Sequence, residues 1–166
     1  MPHRKKYILS KEIAEKKMRR MALEIIENNP DEKEIILAGI KESGNVVAKC
    51  IQQMLAEVSS VKTVLISISL NKREPGQVKI SKKIDFNGKV IIVIDDVANS
   101  GKTLMYALKP LLAFHPKIIQ TLVLVERSHN SFPVRPDYFG MSVSTTMKEH
   151  IYVEVDKKNV LGAYVE

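Results

Sequence analysis

Hydrophobic and polar positions change period several times along this chain, and each change marks an element. From Ser10 to Asn28 apolar residues recur at helical spacing. Ile13, Met21 and Ile25, with the aliphatic stem of Lys17, form one line; Met18, Ala22 and Ile26 run beside it. Ser10 is placed to cap this helix, and Asn28-Asn29-Pro30 stops it. Glu34–Ile40, apolar after its first residue, reads as a buried strand, and Lys41–Gly44 is a turn. Asn45–Val58 returns to helical spacing, with Val47, Ile51, Met54, Leu55 and Val58 on one face, and Lys62–Leu70 alternates like a strand. A charged loop, Asn71–Val78, precedes a returning strand at Lys79–Ile84 and a turn at Asn87-Gly88. Val90–Ile94 shows no alternation, which predicts a strand covered on both faces. A helix over Thr103–Phe114, a strand over Ile118–Glu126, an irregular proline-punctuated stretch over Ser128–Asp137 and a last strand over Ile151–Val155 complete the pattern. Strands alternating with helices predict an α/β fold, a doubly wound and mainly parallel sheet joined by right-handed crossovers.

Composition narrows this picture. At 166 residues, 45% apolar and 27% charged, the chain is expected to form a single domain over 1–166. The lone cysteine, Cys50, cannot form an internal disulfide, and beside the apolar stripe of its helix it reads as a small buried hydrophobe. No apolar run approaches the ~20 residues of a membrane span, and the segment after the basic Met1–Lys6 is amphipathic, unlike a signal peptide, so a cytoplasmic protein without membrane contact is expected. The net charge of +7 gathers in Arg4–Lys6, Lys16–Arg20 and Lys72–Lys83. It suits either a phosphate-rich substrate or a nucleic-acid surface, although few aromatics interleave with the basic residues.

The chemistry concentrates in Val90–Thr103, VIIVIDDVANSGKT. Asp95 and Asp96 stand where the apolar strand emerges, and ligands of open α/β sheets bind beyond the carboxyl ends of strands. Val97–Thr103 then leads into a helix start, whose N–H groups and dipole favour an anion; Gly101 permits close approach, and Ser100 and Thr103 add hydroxyls. A nucleoside-triphosphate loop would need glycine five residues before Gly101. Asp96 stands there, and its charge would repel the phosphate such a loop wraps.

Four apolar residues, two acids, a short variable stretch and Ser-Gly-x-Thr, here Ile91–Thr103, resemble instead the phosphoribosyl-pyrophosphate (PRPP) motif of type I phosphoribosyltransferases. The rest of the chain resembles the PyrR-type branch of that family, regulators of pyrimidine genes that are also uracil phosphoribosyltransferases. The likeness rests on Arg20 with Glu24–Asn28, on Leu37–Lys41 followed by Gly44, on Leu124–His129 and on Pro133–Gly140. The resemblance implies a sheet of the type I phosphoribosyltransferase kind with a small hood, about 127–146, and a lid, about 70–84. It implies transfer of ribose 5-phosphate from PRPP to a nucleobase, uracil foremost, giving UMP and pyrophosphate, with Mg²⁺ bound mainly through the pyrophosphate. Asp95 and Asp96 would hold the ribose hydroxyls, and Val97, Ala98, Asn99, Ser100, Gly101, Lys102 and Thr103 the 5′-phosphate. Lys41, Ser43 and Gly44 would face the pyrophosphate, Lys72 or Arg73 would supply the lid cation, and Arg127, Val134 and Tyr138 would surround the base. Ser43 stands where the family usually has arginine. The alternative is a nucleotide-responsive regulator that binds RNA through Arg19 and Arg20 with weak or no catalysis; transfer to a different base is a third reading. The family also implies a homodimer or homotetramer. His129 falls in the hood segment, His3, His115 and His150 read as surface residues, and no cluster has the spacing of a protein metal site.

Overall fold

The structure, a computed structural model, describes residues 4–71, 73–146 and 148–166. Two sheets organise it. The large sheet holds β2 (Glu34–Ile40), β3 (Lys62–Leu70), β4 (Val78–Ile80), β5 (Val90–Ala98), β6 (Ile118–Arg127) and β7 (Tyr138–Val143), in the order β4-β3-β2-β5-β6-β7. All neighbours are parallel except β3 and β4. The small sheet holds β1 (Lys6–Ser10), β9 (Val160–Val165) and β8 (Ile151–Val155), antiparallel and in the order β1-β9-β8.

The unbroken apolar run of β5 is explained by layers on both faces. Val90, Ile92 and Ile94 pack on one side with α1 (Lys11–Asn28) and α2 (Ser43–Val58). Ile91 and Val93 pack on the other with Leu104 and Ala107 of α3 (Lys102–Ala107) and with Leu111 of the 3-10 turn that follows it. Ser10 caps α1 as expected, its Oγ accepting the Ile13 N–H at 3.2 Å. The buried stripe of α1 is Ala14, Met18, Met21, Ala22 and Ile25, so the expected line is rotated and Ile13 stays 48% exposed. Cys50 is half-buried against the α1/α2 core, and burial pushes its thiol pKa up, as suits an inert small hydrophobe.

The chain turns from β2 through α2 to β3 on one side, and from β5 through α3 to β6 on the other. The carboxyl ends of β2 and β5 are therefore neighbours at the point where strand order reverses, the place where an open α/β sheet leaves a crevice.

Three strands were not anticipated from the pattern: β1, β7 and β9. Each is short, lies at an edge or in the small sheet, and two carry an interior glycine, Gly140 and Gly162. The hood expected over 127–146 is also differently placed. Tyr138–Val143 is an edge strand of the large sheet, and the small sheet is assembled from the two ends of the chain. The expected helix over Thr103–Phe114 divides at Leu108 into α3 and the 3-10 turn Lys109–Ala113, because Pro110 cannot continue an α-helix. The strand expected at Lys79–Ile84 shrinks to β4, and α2 begins two residues before Asn45. Among the described residues no helix is long and apolar enough to cross a membrane.

Candidate functional site

The crevice between β2 and β5 is built from two connections. After β2, the chain makes a turn through Lys41 and Glu42, joined by a cis peptide bond, and enters α2 at Ser43. The Lys41 N–H is held by the Ile68 carbonyl of β3 at 3.0 Å. After β5, the chain passes Asp95 and Asp96 and wraps through Asn99–Gly101 into α3.

Asp95 is fully buried. Its Oδ1 accepts the Asp96 N–H at 2.9 Å, and the first turn of α2 lies directly against it. A Cβ on Gly44 would stand 2.8 Å from the Ile94 carbonyl oxygen and 3.1 Å from Asp95 Oδ1. Glycine at 44 is what lets α2 begin there, and the positive end of a 16-residue helix then faces a buried carboxylate. Asp96 is half-buried, and its Oδ1 accepts the Val97 N–H at 2.8 Å. The two adjacent carboxylates are thus held by their own strand end and turned to different environments.

The loop is fixed from the other side. Gly101 has φ +85°, in the left-handed region, and a Cβ there would meet the Val134 carbonyl oxygen at 2.7 Å. The Ser100 carbonyl accepts the N–H groups of Ser131 and Phe132, each at 3.1 Å. The irregular segment after β6 is therefore an arm strapped across the loop. The Lys102 N–H donates to Ser100 Oγ at 3.3 Å, which tightens the entry to α3.

These parts enclose a cavity of about 400 Å³. Ser43, Asp96 and the whole of Val97–Thr103 line one side, and Ile151, Tyr152 and Val153 of β8 line the other. β8 is the edge strand of the small sheet and brings Ile151–Val153 to the crevice. A second cavity of about 350 Å³ adjoins the first, sharing Asn99 and Ser100 and adding Arg127, His129, Ser131 and Thr145.

The residues expected from sequence divide accordingly. Ser43, Asp96, Val97, Ala98, Asn99, Ser100, Gly101, Lys102 and Thr103 come together around one cavity; Asp95 and Gly44 support its floor. Lys41 is exposed on the turn. Arg73 is exposed on the segment between β3 and β4 and does not line this cavity, and Lys72 lies outside the described residues. Arg127 lines the second cavity, but its guanidinium also donates to Thr145 Oγ1 and to the Thr146 and Glu149 carbonyls, holding the segment before β8. Val134 and Tyr138, expected beside a base, line neither of these two cavities. The Val134 side chain packs into the α3-side core and only its carbonyl approaches the loop. Tyr138 is buried under α1, its hydroxyl donating to Gln120 Oε1 at 2.9 Å, and burial raises its pKa. β7 begins level with Leu122, and the ring leans back toward the amino end of β6, away from the crevice. Arg19 and Arg20 lie on exposed α1, with Arg19 paired to Glu57 at 3.0 Å. Arg20 pairs with Glu24 at 2.7 Å and donates to the Phe139 and Gly140 carbonyls of β7. Sequence reasoning missed Ile151–Val153 as a wall of the site. Its strand was visible, but nothing local shows which distant loop a strand will face.

The hard carboxylate of Asp96, on the wall of a crevice lined by hydroxyls and loop backbone, suits a divalent ion that keeps most of its waters and takes other ligands from phosphates. Among the described residues, no group of three or more His, Cys, Asp or Glu could hold a metal by itself.

The phosphoribosyl transferase domain model matches residues 6–158. Two proteins named bifunctional protein PyrR are 33% identical over 96% of this chain and 97% of the relative, from Clostridium kluyveri, and 34% identical over 92% and 91%, from Alkaliphilus metalliredigens. Among solved structures, the hypoxanthine phosphoribosyltransferase of Trypanosoma cruzi superposes with a TM-score of 0.81 at 13% identity, covering 96% of this chain and 95% of that one. A hypoxanthine-guanine phosphoribosyltransferase from Bacillus anthracis gives 0.75 at 21% identity, covering 96% of each. These last two carry the fold, while the family match and the closer relatives carry membership. With its paired acids, its strapped Ser-Gly-Lys-Thr loop and a crevice at the strand switch point, this chain belongs to the phosphoribosyl transferase family and, within it, to the group of PyrR-like proteins.

Proposed function

We propose that this phosphoribosyltransferase takes PRPP and uracil to UMP and pyrophosphate in the crevice between β2 and β5. The observation that carries the reading is the meeting, around one cavity of about 400 Å³, of Ser43, Asp96, the Val97–Thr103 loop and the edge of β8. In this reaction the C1′–O bond to pyrophosphate breaks, a bond from the base nitrogen to C1′ forms, and that nitrogen gives up its proton. Positive charge develops at C1′, so the site must hold the leaving group's charge, orient the ribose and exclude water. In our reading the loop from Val97 to Thr103 binds the 5′-phosphate through hydroxyls and backbone N–H groups. Asp95 and Asp96 orient the ribose hydroxyls as charge-assisted acceptors. The turn Lys41–Gly44 faces the pyrophosphate, with Ser43 offering a hydroxyl. Mg²⁺, carried mainly by the pyrophosphate, neutralises leaving-group charge when bound, with Asp96 placed to accept from its waters.

The base lies between the loop and the Ile151–Val153 wall of β8. Arg127 contributes by holding the segment before β8. The segment 70–84 acts as the lid, Arg73 or Lys72 bringing a cation over the pyrophosphate as it closes. The whole of 1–166 works as one domain, in the cytoplasm, as a homodimer or homotetramer.

A screen of free bases with PRPP and Mg²⁺ tests the assignment. Pyrophosphate release with uracil, and little with hypoxanthine, guanine or cytosine, supports it, because hydrogen-bonding pockets reject the wrong edge strongly. Faster turnover with a purine overturns it. A second reading, a regulator that binds RNA through α1, is favoured by the +7 charge and by relatives named bifunctional. PRPP or UMP binding without turnover on any base would select it, and its RNA affinity would fall with salt.

A further inference from the structure

We propose that Tyr152 carries the flat face of the acceptor base and that Tyr164 is the positioning residue that sets its ring, an inference that rests on the placement of the base given above. Strand alternation aims the side chain. Ile151 and Val153 are buried in the α1/α2 core, so Tyr152 between them projects from the opposite face of the small sheet, where it stays 45% exposed. Tyr164 of β9 stands directly opposite it. The two rings stack, with centroids 5.3 Å apart and planes 23° from parallel. Tyr164 is itself buried and held by further neighbours. The Tyr7 ring lies 5.6 Å from it at a 53° tilt, and Lys5 Nζ stands 4.3 Å from its centroid, a cation over a ring. Glu154 fixes that lysine at 3.1 Å.

One face of the Tyr152 ring is therefore covered. The other looks past β8, the edge of the small sheet, toward the cavity of about 400 Å³. The cavity lies on that side, because β8 alone of the three strands lines it. Among the described lining residues Tyr152 is the one aromatic. The others bring hydroxyls, an amide, a carboxylate, a lysine and aliphatic groups, which suit phosphate and ribose but offer no flat surface. Every base has a π-face, and a ring already stacked on a neighbour takes it up with little ordering cost. Aromatic pairs across strands also stabilise sheets, which accounts for the buried Tyr164 but not for an exposed ring on the cavity wall. Stacking leaves the edges of the base free, so Tyr152 sets how tightly a planar base is held and other groups choose among bases.

The test compares UMP with ribose 5-phosphate, which lacks the base, by titration calorimetry. Tyr152→Leu keeps an apolar side chain and removes the ring. Its Kd for UMP should rise about tenfold, within the range of one lost base stack, and its Kd for ribose 5-phosphate should stay within about twofold of the parent's. Tyr152→Phe, which keeps the ring, should bind both within about twofold of the parent. Tyr164→Leu should raise the UMP Kd about threefold with ribose 5-phosphate unchanged, and Tyr164→Phe should restore it. The chain has five tyrosines and no tryptophan, so UMP should quench the tyrosine emission of the unaltered protein more than that of Tyr152→Leu. An equal UMP Kd for Tyr152→Leu and the parent, a parallel loss of both ligands with the melt unchanged, or equal quenching would each overturn the proposal and leave the crevice as the phosphate and ribose site. A parent protein that binds neither ligand would overturn that site, and this inference with it.

Discussion

Gly101→Ala tests how the phosphate loop is held. The substitution adds one methyl group where the backbone has φ +85°, a conformation that costs a residue with a Cβ about 1–2 kcal/mol. The methyl carbon would also lie 2.7 Å from the Val134 carbonyl oxygen and 3.4 Å from that of Phe132. Both are backbone atoms of the arm strapped over the loop, so no side chain can swing away. Relief requires the arm to lift by several tenths of an ångström, which strains the bonds from Ser131 and Phe132 to the Ser100 carbonyl. Weakening two such bonds costs about 1–2 kcal/mol. The sum is about 2–4 kcal/mol, or a fall in Tm of about 5–12 °C for a chain of this size. Because the loop itself moves, the Kd for PRPP should rise about tenfold. Gly76→Ala is the control for the melt alone, since a Cβ there meets nothing within 4 Å and the φ is not in the left-handed range. Circular-dichroism melts and titration calorimetry with PRPP read both quantities. A Gly101→Ala protein that melts within about 1 °C of the parent and binds PRPP equally would refute the strapped-loop argument.

Three further outcomes follow from named contacts. Tyr138→Phe, which removes a buried hydroxyl bonded to Gln120, should lower stability by about 1 kcal/mol in urea titration and leave the KM for the base unchanged; a raised KM would return Tyr138 to the site. Arg20→Ala removes two hydrogen bonds from Nη2 to β7 carbonyls and should cost about 1–2 kcal/mol, whereas Arg19→Ala, breaking an exposed pair, should stay within about 0.5 kcal/mol; melts that rank them the other way would contradict the clamp. Hydrogen bonds from Lys89 and Lys62 hold the Glu34 carboxyl below its ordinary value of 4.5. A carboxylate lowered in the folded state adds stability above 4.5 that is lost as pH falls through and below it, so Glu34→Gln should flatten the acid limb of urea midpoint against pH. An unchanged acid limb would show that these pairs contribute nothing.

What could be read from the chain alone followed how local its cause was. β5 was legible because a strand covered on both faces needs no polar positions, and Asp95–Thr103 because its chemistry is written in consecutive residues. The capped start of α1 was legible too, since Ser10 acts three residues away. The face of α1 was misjudged by one step because Ala14 is buried and Ile13 is not, a choice made by the sheet beneath it. β1 escaped notice because it is short and pairs with residues more than 150 positions away, Lys6 opposite Val165, and β9 because it is a short apolar run broken by Gly162. The same non-locality hid the β8 wall of the cavity. Tyr138 looked like a base contact because it stands in a segment shared with the family, while its burial under α1 depends on packing between α1 and β7.

The most direct test of the account is PRPP binding by Asp96→Asn, measured by titration calorimetry in the presence of Mg²⁺. Asp96 is half-buried and lines the cavity, so the exchange removes charge without opening the core as a change at Asp95 would. Hydrogen bonds to a charged partner contribute about 1.5–3 kcal/mol, so the Kd for PRPP should rise about 10- to 100-fold with Tm unchanged within about 2 °C. A Kd equal to that of the parent protein would contradict the placement of the ribose at the end of β5, and with it the crevice as the site of phosphoribosyl transfer.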